Sequence, residues 1–314
     1  MSRELTRRAF LGDAALVGVA SAMGLGNALA GEATAPGAPL TARKVSFDDG
    51  WSFSKGDIGN GQSPVAAGGE WTPVDLPHDW SIAGPFSESE PSGGEGAYLP
   101  TGIGWYRKSF RLPASYAGRR ILLQFDGVYQ CSDVWINGVH LGSRPYGFIT
   151  FYYDLTPHLH FGGEPNVVAV RVDNSHQPNL RWYSGSGIYR HTWLISTGPV
   201  YIEQWGTSIV TPEITQQNAV VEVSTRVRNE LARSAPCKLT TTVLDRDGVT
   251  VQSAETETEI AAGGEHLFVQ RITVPQPKLW STTTPYMYTA RQVLHHEDRE
   301  ADSTNTPFGI RLER

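Results

Sequence analysis

The run His295-His296-Glu297-Asp298 contains the residue types that could bind a metal ion. Imidazole and carboxylate groups are common ligands of divalent metals. Adjacent residues of a β-strand point to opposite faces of the sheet. If the preceding strand extends through His295 and His296, their side chains therefore cannot bind the same ion. We therefore interpret the run as a solvated turn after a strand, and we predict no metal site and no cofactor.

The sequence has no motif that would activate a nucleophile or bind a phosphate. It contains no phosphate-binding glycine loop, zinc-ligand spacing or nucleophile elbow. Its two cysteines, Cys131 and Cys237, lie in segments that we assign to different domains. Because separate domain cores rarely bring two Cα atoms within bridging distance, we predict two unbridged, buried thiols.

The composition narrows the class of protein. The chain has 314 residues, with 33 Gly, 9 Trp, 12 Tyr, 18% charged residues and a net charge of -6. This length suits one to three domains. The mild acidity and the absence of a Lys/Arg cluster argue against a nucleic-acid surface. The many aromatic residues favour an all-β protein, in which they either bind sugars or fill the core.

Residues 1–30 have the pattern of an export signal. Arg7-Arg8 precede an apolar run that ends in Ala28-Leu29-Ala30, a small-x-small cleavage signal. The run is rich in Gly and Ala, so it is too weakly hydrophobic for a stable membrane anchor. The arginine pair followed by Phe10-Leu11 resembles a twin-arginine signal, which predicts export to the periplasm or the extracellular space. Residues 31–42 are interpreted as a flexible linker.

Residues 43–199 show short alternating runs separated by turn-forming residues. Asn137-Gly138 lies between two β-prone runs and predicts a two-residue hairpin. We expect Trp135 and Ile136, just before it, to pack inward. No stretch has a helical period over three turns. The pattern predicts a jelly-roll-like β-sandwich.

Residues 200–311 predict a second sandwich. About seven β-prone runs are spaced by turn signals such as Asp247-Gly248 and Gly263-Gly264. This number of strands suits an immunoglobulin-like sandwich. The Cys…Trp…Cys spacing of antibody domains is missing, so only the general architecture is predicted.

Several stretches resemble glycoside hydrolase family 2, and within it the β-galactosidase branch. Those that resemble its sugar-binding domain are Leu76–Phe86, Gly102–Phe110, Phe125–Gly142, Pro145–Leu159 and Arg181–Leu194. Pro277–Thr289 and Phe308–Arg311 resemble the end of the family's immunoglobulin-like domain. The resemblance implies an all-β fold with a galactose-binding-type sandwich first. It also implies a role in hydrolysis of O-glycosyl bonds and a β-galactoside-like carbohydrate as ligand.

The resemblance also implies where catalysis takes place. In this family a (β/α)₈ barrel follows the Phe308–Arg311 motif and carries both catalytic glutamates, the carboxylate pair of a retaining glycosidase. We expect the barrel to be absent from this chain, which would then have no catalytic residue and no activity alone. Asn229-Glu230 matches the dipeptide that holds the family's acid/base. It follows a strand of the second sandwich, so we interpret it as a strand end and turn.

Two loops of the first sandwich, around Pro100-Thr101 and Asn179–Tyr183, reach toward the sugar in the family. From this we predict Asn179, Arg181 and Trp182 as substrate-binding residues. Asn179 would hydrogen-bond sugar hydroxyls, Arg181 would donate a planar fork, and Trp182 would either stack on a sugar or belong to the core. Three functions stay open: the N-terminal part of a hydrolase, a stand-alone carbohydrate-binding module, or a complementing fragment for a separate barrel chain.

Overall fold

A computed structural model describes residues 42–65, 68–178 and 182–312. Ten strands form its first part, and they build two antiparallel sheets. The strands are β1 Lys44–Ser46, β2 Trp51–Lys55, β3 Thr72–Val74, β4 Gly102–Arg111, β5 Arg120–Phe125, β6 Ser132–Ile136, β7 Val139–Arg144, β8 Phe151–Asp154, β9 Pro165–Asn174 and β10 Thr192–Thr197. One sheet has the order β1-β10-β5-β8 and the other β3-β2-β4-β9-β6-β7.

The two sheets enclose one apolar core. Trp51, Tyr106, Phe125 and Ile136 are among its large, fully buried side chains. Residues alternate between the two faces of each strand, and β6 shows the consequence. Ile136 points into the core, as predicted. The expectation that Trp135 also packs inward was wrong, because its neighbour in the strand takes the inner face. Its ring instead stacks on Trp105, with centroids 5.4 Å apart.

The predicted hairpin is confirmed. Ile136 pairs with Val139 across the turn, so the loop has two residues. Asn137 and Gly138 both have positive φ, 50° and 84°. This is the backbone conformation that the right-handed twist of a tight hairpin requires, and Asn and Gly adopt it most easily.

Seven strands form the second sandwich. They are β11 Val200–Ile214, β12 Asn218–Asn229, β13 Ala235–Leu244, β14 Thr250–Ile260, β15 Glu265–Pro275, β16 Tyr288–His296 and β17 Arg299–Phe308. Their sheets have the orders β11-β12-β15 and β14-β13-β16-β17. The all-β prediction is therefore confirmed, and β-sandwich architecture accounts for both parts of the described chain.

Two charged clusters fix the junction between the sandwiches. Arg120 of β5 contacts the Tyr201 hydroxyl, and that hydroxyl donates to Glu230 over 2.6 Å. Arg43 forms an ion pair with Asp302 of β17 and donates to the carbonyl of Ile202 over 2.7 Å. The start of β11 is thus held by groups from both sandwiches.

Neither cysteine forms a disulfide, as predicted. Cys237 is buried, and burial raises its pKa to about 11, so its thiol is protonated at neutral pH. Cys131 is only half-buried, which corrects the expectation of two buried thiols. The physical reason is its place in the loop before β6, whereas Cys237 lies within β13 and points into the core.

Candidate functional site

The connections β3–β4, β5–β6, β7–β8 and β9–β10 meet at one end of the first sandwich, which we call the loop end. Hydrogen bonds to backbone groups join them. Trp80 donates to the carbonyl of Ser186 over 3.2 Å, and Tyr129 exchanges two bonds of 2.8–2.9 Å with Gly187. The Tyr189 hydroxyl donates to the carbonyl of Gly147 over 2.8 Å. Four distant stretches of sequence therefore form one surface.

Asp79 is the anchor of the β9–β10 connection. Its Oδ1 accepts from the backbone N–H groups of Ser81 and Ser186, at 3.0 and 2.9 Å. Its Oδ2 accepts from the hydroxyl of Tyr183. Gly185 passes so close that a Cβ there would lie 2.7 Å from Oδ2. Because both oxygens are engaged by this connection, Asp79 positions the segment rather than reacting.

The hydrogen bond to Asp79 also determines the protonation state of the Tyr183 phenol. Burial and the hydrogen bond to the carboxylate raise the pKa of Tyr183 above its usual value. The phenol is therefore protonated over the neutral range and donates to Asp79. The side chain remains 37% exposed, beside Trp182, which is 60% exposed. Two neighbouring aromatic residues thus present surface to solvent from a fixed point of the fold.

A serine bridge connects this segment to the loop around Pro100-Thr101. Ser81 Oγ lies 2.6 Å from both the Pro100 carbonyl and Ser186 Oγ. The amide of Asn174 donates to Ser186 Oγ over 2.7 Å. Lys55 donates to the carbonyl of Thr101, and burial lowers the pKa of this lysine. The loop around Pro100-Thr101 and the Ser186 part of the β9–β10 connection are therefore joined by the same polar cluster.

A second buried group lies beneath the loop end. His78 Nδ1 is 2.8 Å from the hydroxyl of Tyr106, which is fully buried. Burial lowers the pKa of His78 and raises that of Tyr106, so both groups are neutral near pH 7. Gly187 packs directly on this pair, since a Cβ there would lie 2.2 Å from the Tyr106 oxygen. The pair supports the surface from inside.

The predicted binding residues have different outcomes. Trp182 is exposed at the loop end, so of its two sequence interpretations the core one was wrong. Asn179 and Arg181 lie outside the described residues, and their role stays a prediction. Asp79 was missed, although it lies in a stretch that carried the resemblance. No local signal in the sequence marks its role, because its partners Tyr183 and Ser186 lie about a hundred residues further along the chain.

Arg107 and Arg190, which lie in stretches that carried the resemblance, have different environments. Arg107 donates to the carbonyls of Gly61, Ser63 and Pro64 at 2.6–2.8 Å. It therefore ties a loop to β4 and has a structural role. Arg190 is exposed at the loop end, next to Tyr189.

Asn229-Glu230 is structural, as predicted. Asn229 is the last residue of β12, and its amide donates to the carbonyls of Arg233, Ile260 and Ala261 at 2.9–3.0 Å. Glu230 accepts from Tyr201 at the junction. These bonds make the dipeptide a strand end and a domain contact.

The histidine run differs in part from its interpretation. His295 and His296 are the last residues of β16, and only Glu297-Asp298 form the turn, with φ of 51° and 57°. His296 Nδ1 lies 3.0 Å from the carbonyl of Pro236. Over the part of the chain that the structure describes, no group of three or more His, Cys, Asp and Glu side chains could hold a metal ion.

Within the described residues, no helix has the length and apolarity to span a membrane.

Comparison with known proteins gives the class and then the family. The sugar-binding domain of glycosyl hydrolases family 2 matches residues 94–200, and a second family model, glycosyl hydrolases family 2, matches residues 200–311. Together with the two β-sandwiches, these matches define the class as a sugar-binding sandwich domain followed by an immunoglobulin-like one. The chain belongs to glycosyl hydrolase family 2, of which it contains the sugar-binding and immunoglobulin-like domains.

Individual relatives are similar over the same region. Beta-galactosidase BoGH2A of Bacteroides ovatus is 45% identical over 268 residues, which cover 85% of this chain and 31% of that protein. A beta-glucuronidase of Formosa agariphila is 31% identical over 287 residues, covering 85% of this chain and 29% of that protein. A crystal structure of a glycosyl hydrolase family 2 member from Bacteroides cellulosilyticus matches with a TM-score of 0.81 and 34% identity, covering 86% of this chain and 35% of that one. The chain thus spans about a third of the length of these relatives.

Proposed function

We propose that these two domains bind carbohydrate as the N-terminal part of an exported β-galactosidase-like glycosidase that hydrolyses O-glycosyl bonds. The observation that carries the proposal is the loop end, where Asp79 holds Tyr183 and the adjacent Trp182 in an exposed position. Aromatic faces stack on the apolar faces of sugar rings, and neighbouring polar groups bind the hydroxyls. The similarity to a protein named as a beta-galactosidase supports a β-galactoside-like ligand.

We further propose that the 314-residue chain is inactive alone and that its partner is a family 2 catalytic barrel. The two family models that match cover the two sandwiches of this chain. The resemblance drawn from the sequence implies that catalysis takes place in the barrel and not in these sandwiches. Glu230, the one residue that matched a catalytic motif, is bound to Tyr201 and lies 3.4 Å from Arg120. It is therefore engaged in the junction between domains.

An activity assay tests this part of the proposal. The purified chain is incubated with nitrophenyl β-galactoside, β-glucuronide and β-mannoside, and we expect no turnover above the buffer control. Glu230→Gln is the matched variant. Turnover that survives repurification and disappears in Glu230→Gln would contradict both the inactivity and the structural role of Glu230.

Calorimetric titration with galactose tests binding. Without a barrel wall, the loop end is open to water, so few of its hydrogen bonds to a sugar would be net favourable. We expect a dissociation constant of about 1 mM, near -4 kcal/mol. Addition of a separately expressed family 2 barrel should produce a complex. Micromolar binding by the chain alone would instead favour the second candidate, a stand-alone carbohydrate-binding module, which the preformed Asp79–Tyr183 contact makes possible.

Export is proposed from residues 1–30 alone. Replacement of both Arg7 and Arg8 by Lys keeps the charge and removes the paired guanidinium groups of a twin-arginine signal. We expect the double variant to stay in the cytoplasm with its signal attached. Undiminished export of that variant would show that another route is used.

A further inference from the structure

The second sandwich has two neighbouring edge strands of contrasting character. β14 ends one sheet and β15 ends the other. An edge strand exposes unpaired backbone N–H and C=O groups and can pair with another chain unless charges, prolines or bulges prevent it. β14 carries Glu255, Glu257 and Glu259 at alternating, exposed positions. If β14 of a second copy paired with this edge, its glutamates would lie close to the same glutamates of the first copy. The repulsion between these like charges protects the edge from pairing.

β15 lacks this protection. Its register with β12 is continuous from Glu265 to Pro275, without a bulge, and its proline is the last residue. Phe268 and Gln270 point into the sandwich, and the alternating residues point out. Two of these, Leu267 and Val269, are large apolar side chains that are about half exposed. The strand therefore offers an extended, unbroken and partly apolar edge.

The outward charges of β15 are arranged symmetrically about Phe268. Glu265 lies three residues before it and Arg271 three residues after it. Glu265 contacts Arg226, and Arg271 contacts Glu213, yet both side chains remain roughly half exposed. Each can therefore interact with a further charge.

We propose that β15 pairs with β15 of a second copy of this chain, antiparallel and centred on Phe268. In this register, Glu265 of each copy faces Arg271 of the other, and Leu267 faces Val269. Opposite charges and apolar residues directly across an antiparallel pair stabilise it. The two three-stranded sheets would then become one continuous sheet of six strands, and the free backbone groups of β15 would be satisfied.

Neighbouring registers lose this complementarity. Centred on Leu267, the pair would place Glu265 opposite Val269. Centred on Val269, it would place Arg271 opposite Leu267. In both cases charged residues face apolar ones, so the Phe268-centred register is specified by the sequence of the strand itself.

Sedimentation equilibrium over about a hundredfold range of concentration tests the proposal. We expect a reversible monomer–dimer equilibrium for the 314-residue chain. Glu265→Arg and Arg271→Glu should each weaken dimerisation about tenfold, since each places two pairs of like charges across the symmetric interface. Glu257→Arg, on the edge of β14, is the matched control and should leave the dimer constant unchanged.

The decisive measurement mixes the two single variants. In a mixed dimer, the arginine introduced by Glu265→Arg in one copy faces the glutamate introduced by Arg271→Glu in the other. The second contact keeps its original residues, Arg271 of the first copy and Glu265 of the second, so opposite charges meet at both places. We expect the equimolar mixture to dimerise within about threefold of the unmodified chain.

Thermal unfolding of each variant confirms that it is folded. A monomer at all concentrations would overturn the proposal. A dimer insensitive to both charge reversals, or a mixture that dimerises no more strongly than its two components, would overturn it as well.

Discussion

The first sandwich has two ends that differ in how much apolar side-chain surface they leave exposed. At the end formed by the β6–β7 and β8–β9 connections, which we call the turn end, two asparagine side chains close the structure. Asn166 accepts from the His160 N–H and donates to the His160 carbonyl, each at 2.8 Å. Asn137 donates to the carbonyl of His158 and accepts from the N–H of Val167, also at 2.8 Å. At this end, side chains therefore provide the hydrogen-bond partners of backbone N–H and C=O groups.

At the loop end, backbone groups bond one another and also side chains such as Asp79, Ser81 and Tyr189. Large apolar side chains are left exposed on its connections. They are Ile82, Phe86, Tyr98, Tyr146, Phe148, Ile149, Trp182 and Tyr183. The turn end of the described chain exposes far fewer, such as Val139. The loop end thus leaves aromatic and apolar surface accessible, which the proposed carbohydrate binding requires, whereas side chains close the backbone at the turn end.

The largest effect is expected for Gly187→Ala at the loop end. A Cβ would lie 2.2 Å from the Tyr106 oxygen, and φ is +118°, a conformation that only glycine adopts easily. We expect a loss of about 4 kcal/mol or more in the free energy of unfolding, measured by urea denaturation. Gly118→Ala is the control, with φ +83° and no atom within 4 Å of the added Cβ. It should cost about 1–2 kcal/mol. Equal losses would show that the close approach is unimportant.

The turn end is tested by Asn166→Ala. This side chain is fully buried, and its removal leaves the backbone groups of His160 without their partner. We expect a loss of about 3 kcal/mol in the free energy of unfolding, because buried polar groups would be unsatisfied. Galactose binding should be unchanged. Asn305→Ala, at an exposed position of β17, should stay within about 0.5 kcal/mol. A binding defect in Asn166→Ala would contradict the division between the two ends.

The sequence was sufficient to predict the all-β class and the hairpin at Asn137-Gly138, because those depend on local periodicity and turn chemistry. It was not sufficient for Trp135, whose environment depends on which face of β6 meets the other sheet. Asp79 was missed for a related reason. Its partners, Tyr183 and Ser186, lie about a hundred residues away, and no local pattern records that contact.

A double-mutant cycle sharpens the role of Asp79. Asp79→Asn weakens the acceptor, and Tyr183→Phe removes the donor of their hydrogen bond. We expect a coupling of about 1 kcal/mol in the free energy of unfolding, since the bond is charge-assisted but partly exposed. Both single variants should also weaken galactose binding. Additive effects on stability would indicate that the two side chains are not coupled in solution.

The smallest effect concerns pH. Burial lowers the pKa of His78 in the folded chain below its ordinary value of 6.5. As the pH falls, His78 is therefore protonated in the unfolded chain at a higher pH than in the folded chain. Stability contributed by neutral His78 is present above about pH 6.5 and is lost as the pH falls toward the folded pKa. His78→Gln should therefore reduce the slope of the free energy of unfolding against pH between about pH 7 and pH 5.5. His140→Gln, an exposed histidine, is the control. A larger change in that control would contradict the assignment to His78.

Carbohydrate binding by the exposed aromatic residues of the loop end can be observed residue by residue. The most direct measurement is a galactose titration of the ¹⁵N-labelled chain, followed through the indole N–H resonances of its tryptophans, with Trp182→Phe to assign the peak of Trp182. We expect the Trp182 resonance to shift and to saturate in the millimolar range, while that of buried Trp51 does not move. Shifts confined to other tryptophans, or none at all at high galactose, would contradict it.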